Sequence, residues 1–579
     1  MRVLMIDLEA EKAEIRNRDQ LFEKYIGGDG VAIKLLIENC PKGVDSLSPE
    51  NPIILATGPL TTAFPVITKT VAMFKSPLNG ELGESYAGGR LGAAMRFADY
   101  GAIVIKGRAE NPTVLLIHND EVIFKDARAA WGISSAYVLG KMLRRKEPFP
   151  GRRSIIRIGI GGENLVRFAN VNVDSYRHFG RLGLGAVFGS KNLLALAISG
   201  TKSLSMPDIR EYRRAYWEIR EVVDKTDLLK KYHDLGTAMN VMPLNYLKGL
   251  PTRNLKEAYF EFAENISGET LAANFLSKRW ACTGCPVACI HIARVQIPFA
   301  KGFEFESRSI PYDYEHLYAL GSLLGIQLAE DVLRLIEAVD NYGLDVISSG
   351  TALSWATEAY ENHLISKRDT MGIELAWGDV EAYVGAIAHI AKRSNDFFRT
   401  LGDGVHAAAE KYGGEDFALN LGGLSIAGYH TGKANLLGHI GAPRHGHLDT
   451  AGYSLDQKHL KRPMSPEKMV DEIYSEITWR CFTNTLVMCL FARGVYTEER
   501  LKKALDSVGV FKKPEEYREI GEEIFRLKYE FKVREGFNLE DVKIPRRFYE
   551  TESSQGILKE GEIREMLGLY KAKIRDLLA

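Results

Sequence analysis

The sequence predicts an α+β protein: a β-rich N-terminal base domain over residues 1–205, followed by two largely helical domains at 206–410 and 411–579. Three observations carry this reading. Before residue 205 the chain is built of short β-branched runs bounded by Gly, Pro and Asn, such as "NPIILATG", "AIVIKG" and "SIIRIGIGG". After Pro207 the apolar residues recur at three- and four-residue spacing, as in "DIREYRRAYWEIREVVDKT" and "AEDVLRLIEAVDNYGLDVISSG". A length of 579 residues accommodates roughly three domains of about 150–200 residues each.

Within the base domain, "TVLLIHNDEVIFKD" predicts a hairpin turning at Asn119-Asp120, residues that tolerate the positive φ of a tight turn. In the helical part, "DNYGLD" suits one helix ending and the next beginning. Gly343 can take the left-handed position and Asp345 can cap the next helix. A Gly/His-rich loop region interrupts the helices at 422–453.

Composition excludes several classes of function. With 75 basic and 75 acidic residues the formal charge is zero, unlike the basic footprint of a nucleic-acid binder. No apolar run reaches the ~18–20 residues of a membrane span. The N-terminus has no signal-peptide pattern, so a cytoplasmic location is expected. Six cysteines in a chain of this length do not make a disulfide framework.

Three of those cysteines are clustered. "ACTGCPVACI" places Cys282, Cys285 and Cys289 as CxxCxxxC, a soft-ligand pattern that suits an iron–sulfur cluster or zinc, with unligated core thiols as the remaining reading. Three thiolates leave a four-ligand site incomplete, and Cys40, Cys481 and Cys489 remain to close it.

The base domain is also glycine-dense: "YIGGDG", "YAGGRLGAA", "GIGGEN" and "GRLGLGAVFGSKN". None is a complete dinucleotide or Walker fingerprint. Singly each reads as a turn. Together, with Lys69, Arg177 and Arg181 nearby, they predict a pyrophosphate-bearing ligand held by backbone N–H groups.

"SPENPIILATGPLT", "KSPLNG", "RFADYGAIVIKGRAENP", "IGGENLVRFANV", "GRLGLGAVFGSKNL", "CTGCPVAC" and "NYGLDVISSG" follow one another along the chain. In that order they resemble the tungstopterin-containing aldehyde:ferredoxin oxidoreductase family, closest to its smaller archaeal members of broad aldehyde range. The resemblance implies tungsten held by two pterins without a protein ligand, a [4Fe–4S] cluster, and Mg2+ bridging the pterin phosphates. It implies Cys489, in "NTLVMC", as the remote cluster ligand. Asp340, Leu344 and Asp345 fall in one pterin motif, and Asn484 with Met488 in the other, where Asn484 replaces the usual carboxylate. Lys69, Tyr86, Gly88, Gly89, Arg177, His178, Gly180 and Arg181 are the implied base-domain contacts, Tyr86 and His178 through their carbonyls to Mg2+.

For catalysis the resemblance implies Glu315, just before "ALG", as the base, with Asp313 as a nearby alternate. A carboxylate in an apolar cavity has a raised pKa and serves near neutral pH. His447, with His445 as its close rival, is expected to bind the carbonyl oxygen, and Tyr429 to line the site. The implied reaction is oxidation of aldehydes to carboxylates with water, electrons passing to ferredoxin or a small ferredoxin-like subunit. A reductive enzyme on the same scaffold, acting on acids or acyl thioesters, and a non-catalytic Fe–S or zinc protein are the alternatives. The subunit-bridging iron site of some relatives uses E-x-x-H. The corresponding "RLIE" (334–337) has no histidine, so an oligomer, if formed, is expected without it.

Overall fold

A computed structural model describes the chain except residues 134, 148–152 and 301–303. Two six-stranded sheets form the N-terminal part. The first comprises β1 (Arg2–Asp7), β2 (Lys12–Asn17), β3 (Ile53–Ala56), β4 (Thr70–Lys75), β5 (Leu82–Ala87) and β6 (Tyr100–Lys106), in the order β2-β1-β6-β3-β4-β5. The second comprises β7 (Thr113–His118), β8 (Glu121–Asp126), β9 (Arg153–Arg157), β10 (Val171–Val173), β11 (Arg177–Phe179) and β12 (Leu193–Ser199), in the order β11-β10-β9-β12-β7-β8. The predicted hairpin is β7–β8, with Asn119 at φ 51°.

Side chains of a strand point alternately to opposite faces, and the first sheet buries both. Leu4, Ile6, Ala72, Phe74, Ile103 and Ile105 pack into a core shared with the second sheet. Their neighbours Val3, Val71, Met73, Ala102 and Val104 pack instead against the helices Gly28–Asn39, Pro466–Thr485 and Pro514–Arg534. Double-sided burial explains why these strands read as continuous apolar runs.

Beyond residue 205 helices dominate as expected, but the segment 422–453 is not all loop: it holds the helix Lys433–Gly441 and a strand, Leu424–Ser425, paired with Asn420–Leu421. A three-stranded antiparallel sheet, β13 (Leu276–Trp280), β14 (Ile290–Ala300) and β15 (Glu304–Tyr312), carries the CxxCxxxC run in the connection between its first two strands. Strand β15 leads directly into the short helix Tyr314–Ala319, capped by Asp313, which accepts from the His316 N–H. The helix Ala329–Tyr342 ends at Gly343, φ 70°, and Asp345 caps Val346–Glu361 by accepting from the N–H groups of Ile347 and Ser348. No helix among the described residues is long and apolar enough to cross a membrane.

A buried ionic knot clamps the first sheet to the C-terminal helices. Lys528 Nζ lies 2.5 Å from Asp29 Oδ2 and 2.6 Å from Glu84 Oε2, all three essentially inaccessible to solvent. The Tyr86 hydroxyl lies within hydrogen-bonding reach of both Asp29 and Glu84 and can donate its one proton to either. Burial, and then the neighbouring Glu84 carboxylate, push the Asp29 carboxyl up to about 6 against the pull of Lys528. A carboxyl so raised binds its proton more tightly folded than unfolded. It therefore stabilises the fold at pH below ~4, and that contribution is lost as pH rises through about 6.

Removing one partner from such a cluster leaves uncompensated buried charge. Lys528→Met is expected to cost about 3–5 kcal/mol, read as a fall in thermal midpoint. The deficit should be smaller at pH 5 than at pH 8, because Asp29 can then accept a proton. Equal loss at both pH values would contradict the ionic assignment.

Candidate active site

The site is assembled by backbone hydrogen bonds between segments far apart in sequence. Cys489 N–H donates to the Val66 carbonyl (3.1 Å), and Lys69 N–H to the Val487 carbonyl (3.1 Å), so the segment 487–489 is stitched onto 66–69. Thr283 N–H donates to the Gly89 carbonyl (3.0 Å), docking the CxxCxxxC loop onto the end of β5. Val66 and Val487 both adopt left-handed backbone conformations, φ 65° and 50°, which β-branched residues rarely accept.

This stitching gathers four thiols. Cys285, Cys289, Met488 and Cys489 pack against one apolar cluster, and Cys282 lies within electrostatic reach of Cys285 and Cys289. Burial pushes the Cys285 thiol up to about 12 and the Cys289 thiol to about 11. Burial also acts on Cys282, but Arg177 and Lys69 outweigh it and hold that thiol below its usual value. The Arg177 guanidinium reaches to 3.9 Å from the Cys289 sulfur. Among the described residues no three His, Cys, Asp or Glu side chains are gathered closely enough for a metal ion. Cys40 and Cys481 are buried elsewhere, in the core against the first sheet.

Beside the thiols lies a set of buried polar groups that lack partners. Arg177 Nε, Arg181 Nη1, His178 Nε2 and Asp340 Oδ1 make no hydrogen bond among the described residues. The nearest approach among them, His178 Nε2 to Asp340 Oδ1, is 3.6 Å. Orphaned donors and acceptors in a protein interior carry a large desolvation cost unless something binds them. Cationic donors suit phosphate oxygens, and the Asp340 carboxylate suits ring N–H groups. The donor set therefore fits a phosphorylated heterocycle. A side chain at Gly180 would meet nothing within 4 Å, so open space lies beside it. Asp345 is more fully engaged, accepting from two backbone N–H groups, the Ser348 hydroxyl and Arg181 Nε at 3.4 Å. Leu344 is buried, its carbonyl accepting from the Asn170 amide. Asn484 lies in the last turn of Pro466–Thr485, its backbone pressed against Gly28.

Part of the glycine reading changes. In "GRLGLGAVFGSKN", a Cβ on Gly189 would fall 1.9 Å from the Gly162 carbonyl oxygen, so that glycine serves close packing between the two glycine segments. Gly88, in contrast, faces the thiols, where an added Cβ would stand 2.6 Å from the Cys282 sulfur.

Glu315, from the first turn of Tyr314–Ala319, points both carboxylate oxygens into the interior without a hydrogen bond. His447 Nε2 lies 3.2 Å from Glu315 Oε1. The Tyr429 ring stacks on Tyr453 at 4.3 Å and stands 5.2 Å from the His447 ring and 5.0 Å from Tyr314. His445 faces the other way, its ring nitrogens near the His439 carbonyl (3.0 Å), Lys532 Nζ (3.0 Å) and Glu81 (3.3 Å). Asp313 is held by His316 Nδ1 at 2.7 Å as well as by its capping role. Two groups escaped sequence reasoning: His316, adjacent to Glu315, and His439, on the helix Lys433–Gly441 within the segment read as loop.

Comparison with known proteins places this geometry in a class of redox enzymes. Residues 3–200 match the family "Aldehyde ferredoxin oxidoreductase, N-terminal domain", and 214–572 match "Aldehyde ferredoxin oxidoreductase, domains 2 & 3". The chain belongs to the aldehyde ferredoxin oxidoreductase family and is an oxidoreductase. It is 31% identical to the tungsten-containing aldehyde ferredoxin oxidoreductase of Pyrococcus furiosus, over 98% of this chain and 95% of that protein. It is also 31% identical to the aliphatic sulfonate oxidoreductase, WOR-like subunit, of the same organism, over 74% of this chain and 70% of the other. Among solved structures, the active-site complex BamBC of benzoyl coenzyme A reductase shares the fold at TM-score 0.81 and 19% identity, covering 99% of this chain and 94% of that one.

The contact at Gly88 is directly testable. Gly88→Ala should displace the Cys282 sulfur and lower iron per chain at least twofold in anaerobically purified protein, with the thermal midpoint little changed. Full iron content would show that this close approach does not constrain the thiol.

Proposed function

We propose that this chain oxidises aldehydes to carboxylic acids on a tungsten bis-pterin, passing electrons through a [4Fe–4S] cluster to ferredoxin or a small ferredoxin-like subunit. The observation that carries the reading is the half-buried Glu315 carboxylate, 3.2 Å from His447, in a chain that aligns nearly end to end with tungsten aldehyde oxidoreductases. Cys282, Cys285, Cys289 and Cys489 would hold the cluster. Arg177, Arg181, His178 and Asp340, with Lys69, Gly88, Gly89 and Gly180 around them, would hold the pterins. Asp345, Leu344, Asn484 and Met488 complete that lining, and the Tyr86 and His178 carbonyls would hold Mg2+.

The balance is RCHO + H2O → RCOO− + 3 H+ + 2 e−. When bound, the metal–pterin group accepts the two electrons, and the cluster passes them on singly. The protein's own part is proton handling and placement. The Glu315 carboxylate, with His447 3.2 Å away, can take a proton from water. His447, carrying its proton on Nε2, can keep Glu315 in line before substrate binds and donate to the substrate oxygen afterwards. The rings of Tyr314, Tyr429 and Tyr453 wall the space with apolar surface, which keeps bulk water out and strengthens both interactions.

Metal analysis of anaerobically prepared protein should give about one tungsten and four irons per chain, and aldehydes should reduce a viologen dye. Glu315→Gln should lower kcat by about 10²–10⁴-fold, the usual contribution of a general base, with tungsten and iron unchanged. An undiminished rate in that variant would remove Glu315 from the mechanism. Absence of tungsten, molybdenum and iron from cofactor-supplied protein would remove the reading altogether.

A further inference from the structure

One helix face beside the Glu315–His447 pair carries polar groups that the reaction described above does not use. Asn435 and His439 sit four residues apart on Lys433–Gly441 and so share a face. Both are buried, at 7% and 2% exposure. Among the described residues neither His439 ring nitrogen has a hydrogen-bond partner, and neither does Asn435 Oδ1. The remainder of each residue is anchored: Asn435 Nδ2 donates to the Tyr429 carbonyl, and the His439 carbonyl receives His445 Nδ1. The first of these bonds fixes the Asn435 amide and so the position of its Oδ1.

Both residues line a small, partly open cavity whose other walls include Tyr429, Ile426, Leu436 and Phe548. The cavity has room for about one water-sized group. It lies next to the candidate active site, since Tyr429 forms part of its wall and the His439 ring is 6.2 Å from that of His447, nearly parallel to it. Burial, with His447 and Arg181 close by, holds the His439 imidazole well below its usual range. It is therefore neutral, offering one N–H donor and one acceptor nitrogen.

We propose that Asn435 and His439 form a subsite for a substrate hydroxyl, so that this enzyme favours short hydroxyaldehydes over the corresponding deoxy compounds. The proposal rests on aldehyde oxidation at Glu315. A hydroxyl is the group that matches the cavity in both size and bonding pattern. Its oxygen accepts from the His439 N–H while its hydrogen is donated to Asn435 Oδ1. A carboxylate or phosphate is too large for the space and has no proton to give Asn435. A methyl group fits but leaves buried polar atoms unpaired, the arrangement by which a polar pocket rejects a deoxy analogue.

The test compares kcat/KM for 3-hydroxybutanal and butanal, followed by viologen reduction, in the holoenzyme and in His439→Leu and His439→Gln. In the unmodified enzyme the hydroxyaldehyde should be preferred at least tenfold. His439→Leu should bring the ratio close to one, and His439→Gln, which keeps a donor and an acceptor, should retain part of it. Calorimetric binding of 3-hydroxybutyrate against butyrate reads the same subsite without turnover, and should show a tenfold preference that His439→Leu removes. Equal kcat/KM for the two aldehydes, or a ratio unchanged by His439→Leu, would overturn the subsite and leave the cavity to an ordered water only. If no aldehyde is oxidised but the calorimetric preference holds, the hydroxyl subsite stands and the proposed reaction falls. If both are absent, both fall.

Discussion

Two main-chain hydrogen bonds, Cys489 N–H to Val66 and Lys69 N–H to Val487, are the constraint on which the rest of the molecule turns. They weld a loop from the last third of the chain to a loop from the first, and a third bond, Thr283 N–H to Gly89, adds the middle of the chain. Their geometry is not relaxed. Val66 and Val487 hold left-handed backbones at a cost of about 1–3 kcal/mol each, and the surrounding packing must supply it. That packing is substantial, since Leu486, Val487, Ile67, Val66 and Phe64 belong to one buried cluster with partly buried Cys285, Cys289 and Cys489 at its margin.

The ionic knot at Lys528 repeats the theme on the other side of the first sheet. A helix from the C-terminal end places one ammonium between carboxylates from Gly28–Asn39 and β5. Tyr86 joins the knot through its hydroxyl, and two residues later the chain reaches Gly88 against the Cys282 sulfur. Strand β5 therefore couples the clamp that holds the domains together to the surface that faces the thiols. Stability and site geometry are carried by the same strand.

Much of the architecture was legible. The β-branched runs became β3, β6 and β9, the Asn119-Asp120 turn became a hairpin, and "DNYGLD" became a left-handed helix stop followed by an Asp cap. The sheet at 276–312 was not legible because most residues of β13 and of the first half of β15 are exposed, leaving no apolar alternation to read. The glycine segments were read too uniformly: Gly88 lies at the thiols, whereas Gly189 lets backbones touch. At the site, residue type alone could not separate His445 from His447, two positions apart. Tertiary placement turns one toward Lys532 and Glu81 and the other toward Glu315. His439 went unnoticed for the same reason, since a lone histidine in a helix carries no signal until its neighbours are known.

The order of these segments along the chain also sets a timetable for biosynthesis. Cys282, Cys285 and Cys289 leave the ribosome together, but Cys489 follows about 200 residues later, on the order of 10–40 s at ~5–20 residues per second. Throughout that interval Val66 and Lys69 lack their partners at 487–489, and the nascent chain exposes three thiols without the segment that brings the fourth. The four thiols can therefore come together only in chains already made past residue 489.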